Sequence, residues 1–140
     1  MASSISVTIG RVLMGLYFLM PGLQKAANSS ETVAYMKGHD IAFAEPLMWI
    51  SAIVNIVGGL LLISGRHIKL VAFGFVVYIL LVNYLLHDFW TMEGDKVARE
   101  MQNFVKNMGI LAGLLVLAGH ASIRKLSPSG WWRSDSAVFR

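Results

Sequence analysis

The chain has no cysteine, which removes disulfides, thiolate metal sites, iron–sulfur clusters and cysteine nucleophiles together. Charge is scarce too. Only 14% of the 140 residues are Asp, Glu, Lys or Arg, where an ordinary soluble domain has about 25%. Acids are the rarer sign, 8 against 12 Lys and Arg. The basic residues sit between apolar blocks and do not gather in one segment, so nucleic acid is not an expected partner. P-loop, dinucleotide and serine-elbow motifs are missing. What the chain has is apolar surface, 56% hydrophobic residues. That argues against a soluble enzyme and against disorder, and the length suits one domain of about 100–200 residues.

A membrane-spanning helix needs about 20 mostly apolar residues, and four runs of that size are present. They cover about 5–23, 46–63, 68–90 and 104–119. The second is closed by Ser64-Gly65 and the basic turn Arg66-His67. The expected fold class is therefore all-α, an integral membrane four-helix transmembrane bundle running up-down-up-down over residues 1–122. A C-terminal cytoplasmic tail, 123–140, follows. Its Trp131-Trp132 pair suits the headgroup level, where amphipathic rings prefer to lie. Block one has no basic residue before Arg11, and Lys25 stands near the candidate cleavage point after Ala27, which argues against a signal peptide. Between blocks three and four, TMEGDKVAREMQN is expected to be a loop or a surface helix. Between blocks one and two, Ser29 or Ser30 is expected to cap a short helix, with Val33, Met36, Ile41 and Phe43 at the membrane interface.

With four crossings both termini share a face with the Arg66–Lys69 connection. That face collects Arg66, Lys69, Arg124, Lys125, Arg133 and Arg140, and Arg11 if it reaches the surface. The opposite face has Lys25, Lys37, Lys96, Arg99 and Lys106. The excess of Lys and Arg puts both termini in the cytoplasm.

Small residues allow close helix approach where lipid gives little drive for association. Gly15 and Gly22 on block one, Gly58-Gly59 on block two, Ala72 and Gly74 on block three, and the Gly109/Gly113 step on block four are the candidates. Ionisable and amide groups inside the spans are functional candidates by default. Arg11, about two turns into block one, is read first as snorkelling to the nearby face, and otherwise as an inward ion pair or ligand contact. Asn55, in mid-block two, is read as interhelical glue.

Topology then gathers a second set at the far ends of the spans: Gln24 and Lys25, Glu45, Asn83, His87 and Asp88, and Lys106 and Asn107. His87 and Asn83 are four apart and share a helix face. Lys25, His87, Asp88, Lys106 and Asn107 form a candidate cofactor-binding site, since such groups at an apolar bundle mouth suit a quinone head group or a proton relay. The plainer reading is that they anchor helix ends, a role the His87–Trp90 run also suits. No metal is expected. The four histidines are never paired at helical ligand spacing, and the eight methionines read as packing filler. No catalytic residue is identified.

Taken in order, GRVLMGLYFLMPGLQK (Gly10–Lys25), TVAYMKG (Thr32–Gly38), GGLLLISG (Gly58–Gly65), HDFW (His87–Trp90) and FVKNMGILAGLLVLAG (Phe104–Gly119) resemble the DoxX family of small four-helix membrane proteins. The likeness covers roughly residues 8–120. By position, Arg11, Gly15, Gly22 and Lys25 match its first motif and Lys106-Asn107 its fourth. The resemblance implies a multi-pass protein of the bacterial cytoplasmic (inner) membrane. It also implies a part in thiosulfate:quinone oxidoreductases, in respiratory and oxidative-stress complexes, or in assembling other membrane proteins. Asn55 departs from the pattern, since many relatives have an acid just ahead of the paired glycines. No haem, flavin or metal motif is present, so partners must supply the redox centre. The leading expectation is a non-catalytic accessory subunit of a respiratory or quinone-linked redox complex, with other membrane subunits and lipid as partners. A quinone or lipid is the one non-covalent cofactor class left open. The alternatives are a quinone-binding oxidoreductase subunit that uses the outer site, or an assembly factor.

Overall fold

A computed structural model of the protein describes residues 2–121, with side chains from Ile5 onward. The expectations for the 123–140 tail, Trp131-Trp132 included, lie outside the described residues. Helix α1 spans Ala2–Ala27, α2 Ser29–Lys37, α3 Ala44–Ser64, α4 Ile68–Leu86 and α5 Asp95–His120; a single 3₁₀ turn, Phe89–Thr91, lies between α4 and α5. Four helices are long and apolar enough to cross a membrane, and among the described residues there is no strand. The chain is an all-helical, multi-pass membrane protein.

The helices pack in the order α1–α3–α4–α5, with α1 closing the ring. Register gives the directions. Arg11 meets Leu62 while Gly22 meets Asn55, so α1 and α3 are antiparallel. Gly58 meets Phe75 and Asn55 meets Tyr78 on α4, and on α5 Glu100 meets His87 while Phe104 meets Asn83. Helix α1 also faces α5, where Met14 touches Gly113 and Tyr17 touches Asn107. The core between them is Phe18, Phe75, Ile79, Leu62, Leu111 and Leu114. Phe18 and Phe75 stack with ring centroids 3.6 Å apart. Leucine, isoleucine and valine cover the outer faces, for example Leu13, Ile53, Leu80 and Val116. Such a ring is expected where lipid replaces water as the solvent.

The tightest seam is α1 against α3. A Cβ at Gly15 would lie 2.7 Å from the Gly59 carbonyl, and one at Gly59 would lie 2.7 Å from the Gly15 carbonyl. Only glycine permits that approach. The Gly109/Gly113 step does not act as one unit: Gly113 packs on Met14, whereas Gly109 and Gly74 face open space. Spacing alone cannot say which face of a helix meets a neighbour.

Gly65 ends α3 at φ 70°. Its N–H donates to Leu62 (3.1 Å) and that of Arg66 to Leu61 (2.9 Å), the reciprocal pair of a Schellman turn. Other boundaries differ from the sequence reading. Polar residues Asp95–Asn103 belong to α5, which begins well before the apolar run and carries its charged first turns beyond the core. Ser29 and Ser30 cap nothing; they are the first residues of α2, and Asn28 occupies the cap position without a side-chain bond. Met36 is buried against Ala44 and Met48, with Val33 and Ile41 packed on them, so these residues make a small second core. Phe43 alone of the expected interfacial set stays open, 82% exposed.

Candidate functional site

Two features of α1 build the far half of the bundle into a site. Gly22 brings α1 close to Asn55, and Pro21 lacks the N–H that would close on the Tyr17 carbonyl, leaving that turn open. A cavity of about 290 Å³ lies beside them, between α1, α4 and α5. Phe18, Pro21, Ile79, Val82 and Leu86 supply its apolar wall. Lys25, Asn55, His87, Lys106 and Asn107 reach it from four different helices or their ends, joined by Tyr17, Tyr78 and Asn103.

The polar groups form three linked sets. At the deep end, Lys25 Nζ donates to the Tyr78 hydroxyl (2.6 Å) and lies 5.2 Å from its ring centre. Asn55 Nδ2 donates to the same hydroxyl at 3.2 Å. Tyr78 oxygen thus accepts twice, and its own proton is left to point elsewhere. Asn55 is only 2% exposed, yet its Oδ1 is buried with no partner. A buried amide oxygen left unpaired costs about 1–3 kcal/mol, so this one marks a place where a donor is missing.

Along the α4–α5 wall, the Tyr17 hydroxyl donates to Asn107 Oδ1 (3.2 Å), Asn107 Nδ2 to Asn83 Oδ1 (2.8 Å), and Asn83 Nδ2 to the Phe104 carbonyl (3.3 Å). At the outer end, His87 Nδ1 lies 2.7 Å from Glu100 Oε2. Asn103 donates to the same Glu100 oxygen at 3.2 Å and accepts from Lys106 at 3.2 Å.

Of the sequence candidates, Lys25, His87, Lys106 and Asn107 line one cavity. Asp88 does not. It turns to a neighbouring vestibule of about 390 Å³ with Tyr35, His39, Lys96, Arg99 and Glu100. There it accepts from the Thr91 hydroxyl (2.7 Å) and lies 3.9 Å from His39 Nδ1. The α4 helix ends at Leu86, so the helical repeat that would have kept Asp88 beside His87 no longer holds. Burial, with the Glu100 and Asp88 carboxylates nearby, pushes the Tyr35 phenol above its ordinary value, so it stays a donor at the vestibule wall. Gln24 and Glu45 line neither space. Among the described residues no group of three or more His, Asp or Glu is placed to hold a metal.

Arg11 is set inward and does not snorkel. It is 8% exposed, and its guanidinium donates to the Leu62 and Ile63 carbonyls, the latter at 2.8 Å. These are among the last carbonyls of α3, which lack partners within their helix and form the negative end of its dipole. Sequence reasoning also passed over Tyr17, Tyr78, Asn103 and Glu100. The i, i+3 step from Asn103 to Lys106 and Glu100's place one turn earlier would have found the last two, had the segment been read as continuous with the fourth span.

No solved structure matches the chain. The inner membrane protein YphA of Escherichia coli (strain K12) is 30% identical over 121 residues, 84% of this chain and 84% of that protein. The DoxX family model matches residues 6–88, from α1 through α4, which includes Arg11, Gly15, Gly22, Lys25, Asn55 and His87. Lys106, Asn107 and Glu100 of α5 fall beyond that match. With more than half its length matching the family and a relative aligned across most of the remainder, this chain belongs to the DoxX family.

Proposed function

We propose that the protein is a small accessory subunit of a respiratory or quinone-linked redox complex, and that the cavity between α1, α4 and α5 receives a quinone head group. The bacterial inner membrane, with both termini cytoplasmic, is the setting that the Lys and Arg distribution and the name of the relative support. The observation that carries the reading is the deep end of the cavity. Lys25 and the Tyr78 hydroxyl are donors for a quinone carbonyl, and the unpartnered Asn55 Oδ1 is an acceptor for a quinol hydroxyl, all set in an apolar wall. Few precisely placed polar groups in an apolar lining are what a small-molecule site requires. At about 290 Å³ the space suits a single substituted ring, with any isoprenoid tail outside it, and is small for a flavin or haem. Electrons then pass to a redox centre in a partner subunit, because the chain has no thiol and no cofactor motif of its own.

The test is purification of the full chain from its native membrane in mild detergent, with quinone extracted and counted and every copurifying subunit identified. The expected result is bound quinone approaching one per chain and redox subunits in fixed ratio. Tyr78→Phe removes a donor and the acceptor shared by Lys25 and Asn55, and affinity for decylubiquinone should fall about tenfold. A folded preparation that takes up no decylubiquinone overturns the quinone reading. A chain absent from the mature complex, whose deletion nevertheless lowers partner abundance, is an assembly factor.

A further inference from the structure

We infer that His87 and Glu100 form a proton path between the ligand cavity and the outer vestibule. The inference rests on the cavity being a head-group site. His87 lines the cavity, Glu100 lines the vestibule, and a single 2.7 Å contact between Nδ1 and Oε2 joins them. Both side chains are mostly buried, 17% and 15% exposed, so the contact is sheltered from bulk water. Asn103 fixes the carboxylate by donating to the same oxygen, and Lys106 fixes Asn103 in turn.

The geometry sets the chemistry of the ring. A carboxylate accepts and does not donate, so Nδ1 carries a proton, and in the neutral ring the lone pair is then on Nε2. Nε2 is then the nitrogen available to an acidic O–H in the cavity. In the outward direction, the ligand O–H bond breaks as an N–H bond forms at Nε2. The Nδ1–H bond of the resulting imidazolium breaks as an O–H bond forms on Glu100, and Glu100 releases its proton into vestibule water. The ring is left protonated at Nε2, and water-mediated passage of that proton to Nδ1 restores the first tautomer. Uptake runs the same steps backwards, and no electron moves in any of them.

The surroundings suit both ends. The charged groups around the pair are Lys25 of α1 on the cavity side, Glu100 and Lys106 of α5, and on the vestibule side His39, Asp40 and Asp88 of the connecting segments with Lys96 and Arg99 of α5. The cationic Lys25 and Lys106 favour an ionised ligand oxygen and oppose an accumulated imidazolium. Asp88, Asp40 and Glu100 give the vestibule acceptors for a departing proton. Asp88 Oδ1 is buried without a hydrogen-bond partner, which makes it the next acceptor along that wall.

The experiment uses the full chain in phosphatidylethanolamine/phosphatidylglycerol nanodiscs with 4-nitrophenol as probe, whose ionised form is coloured. Bound probe is followed after a rapid pH jump in the wild type and in His87→Gln, Glu100→Gln and the double variant. Glu100→Gln, which lies outside the cavity, should bind the probe as the wild type does, while His87→Gln, which loses a contact with it, should bind it more weakly; in the bound fraction of both, the proton should exchange about 100-fold more slowly. The double variant should be no slower than the singles, because the groups act in series. Equal exchange rates in wild type and variants overturn the proton path while leaving the cavity reading intact. A folded wild type that fails to bind either the probe or decylubiquinone overturns both. Loss of binding in the variants with no change of rate in the bound fraction assigns the pair to packing and overturns the path.

Discussion

Arg11→Lys tests the end of the bundle remote from the cavity. The wild-type guanidinium spans two consecutive carbonyls at the end of α3, those of Leu62 and Ile63. Both bonds leave one terminal nitrogen, Nη1; lysine keeps the charge, but its shorter side chain does not bring the ammonium to both carbonyls. One charge-assisted bond is lost, at about 1.5–3 kcal/mol, which lowers the folded-to-unfolded ratio about 10- to 100-fold. Arg11→Met removes both bonds but also removes the burden of a charge within the span, about 2.5–3.5 kcal/mol on insertion scales, so its net loss is not twice as large. Gly65→Ala probes the same junction from the other side. A Cβ there would lie 3.0 Å from the Arg11 guanidinium, at a left-handed φ of 70° that itself costs an L-residue about 1–2 kcal/mol. The two changes should be non-additive, since the smaller lysine head group of Arg11→Lys relieves part of the contact that Gly65→Ala creates. The assay is reversible unfolding in mixed micelles of rising dodecyl sulfate fraction, followed by circular dichroism. An Arg11→Lys variant that unfolds at the wild-type detergent fraction would refute the capping argument and return Arg11 to the headgroup region.

Two further outcomes are expected in the same assay. Gly15→Val and Gly59→Val should each destabilise the bundle by about 1–3 kcal/mol through overpacking, while Gly74→Ala and Gly109→Ala, which meet nothing, should be neutral or slightly stabilising; equal effects at all four positions would deny the α1–α3 seam. Asn83→Leu or Asn107→Leu alone leaves the other amide buried without its partner and should cost about 1–3 kcal/mol, whereas the paired change should cost less than the sum, as a double-mutant cycle reads directly.

Much of this architecture was legible along the chain because lipid imposes a length and a composition on anything that crosses it. Four runs of sufficient size with polar punctuation gave four crossings, and Ser64-Gly65 marked a helix end whose geometry any glycine-stopped helix shares. The same logic put Lys25, His87, Lys106 and Asn107 at one end of the bundle, because antiparallel succession carries alternate helix ends to one face. It failed where local polarity and helicity part company. By hydropathy Asp95–Asn103 reads as a loop or a separate surface helix, yet it is the first part of α5 and brings Glu100 to His87.

Sequence by itself therefore determined the class of protein, the number of crossings and the end at which its polar groups collect, since each of these follows from hydrophobicity summed over about 20 residues. Tertiary structure alone decided which side chains face one another. Helix rotation and the close approach at Gly15, Gly22 and Gly59 turned Arg11 onto α3 and Tyr78 onto Lys25 and Asn55, and the end of α4 at Leu86 turned Asp88 away from the cavity. A rotation of one helix by a single residue, about 100°, would leave every hydropathy pattern unchanged and dismantle the site.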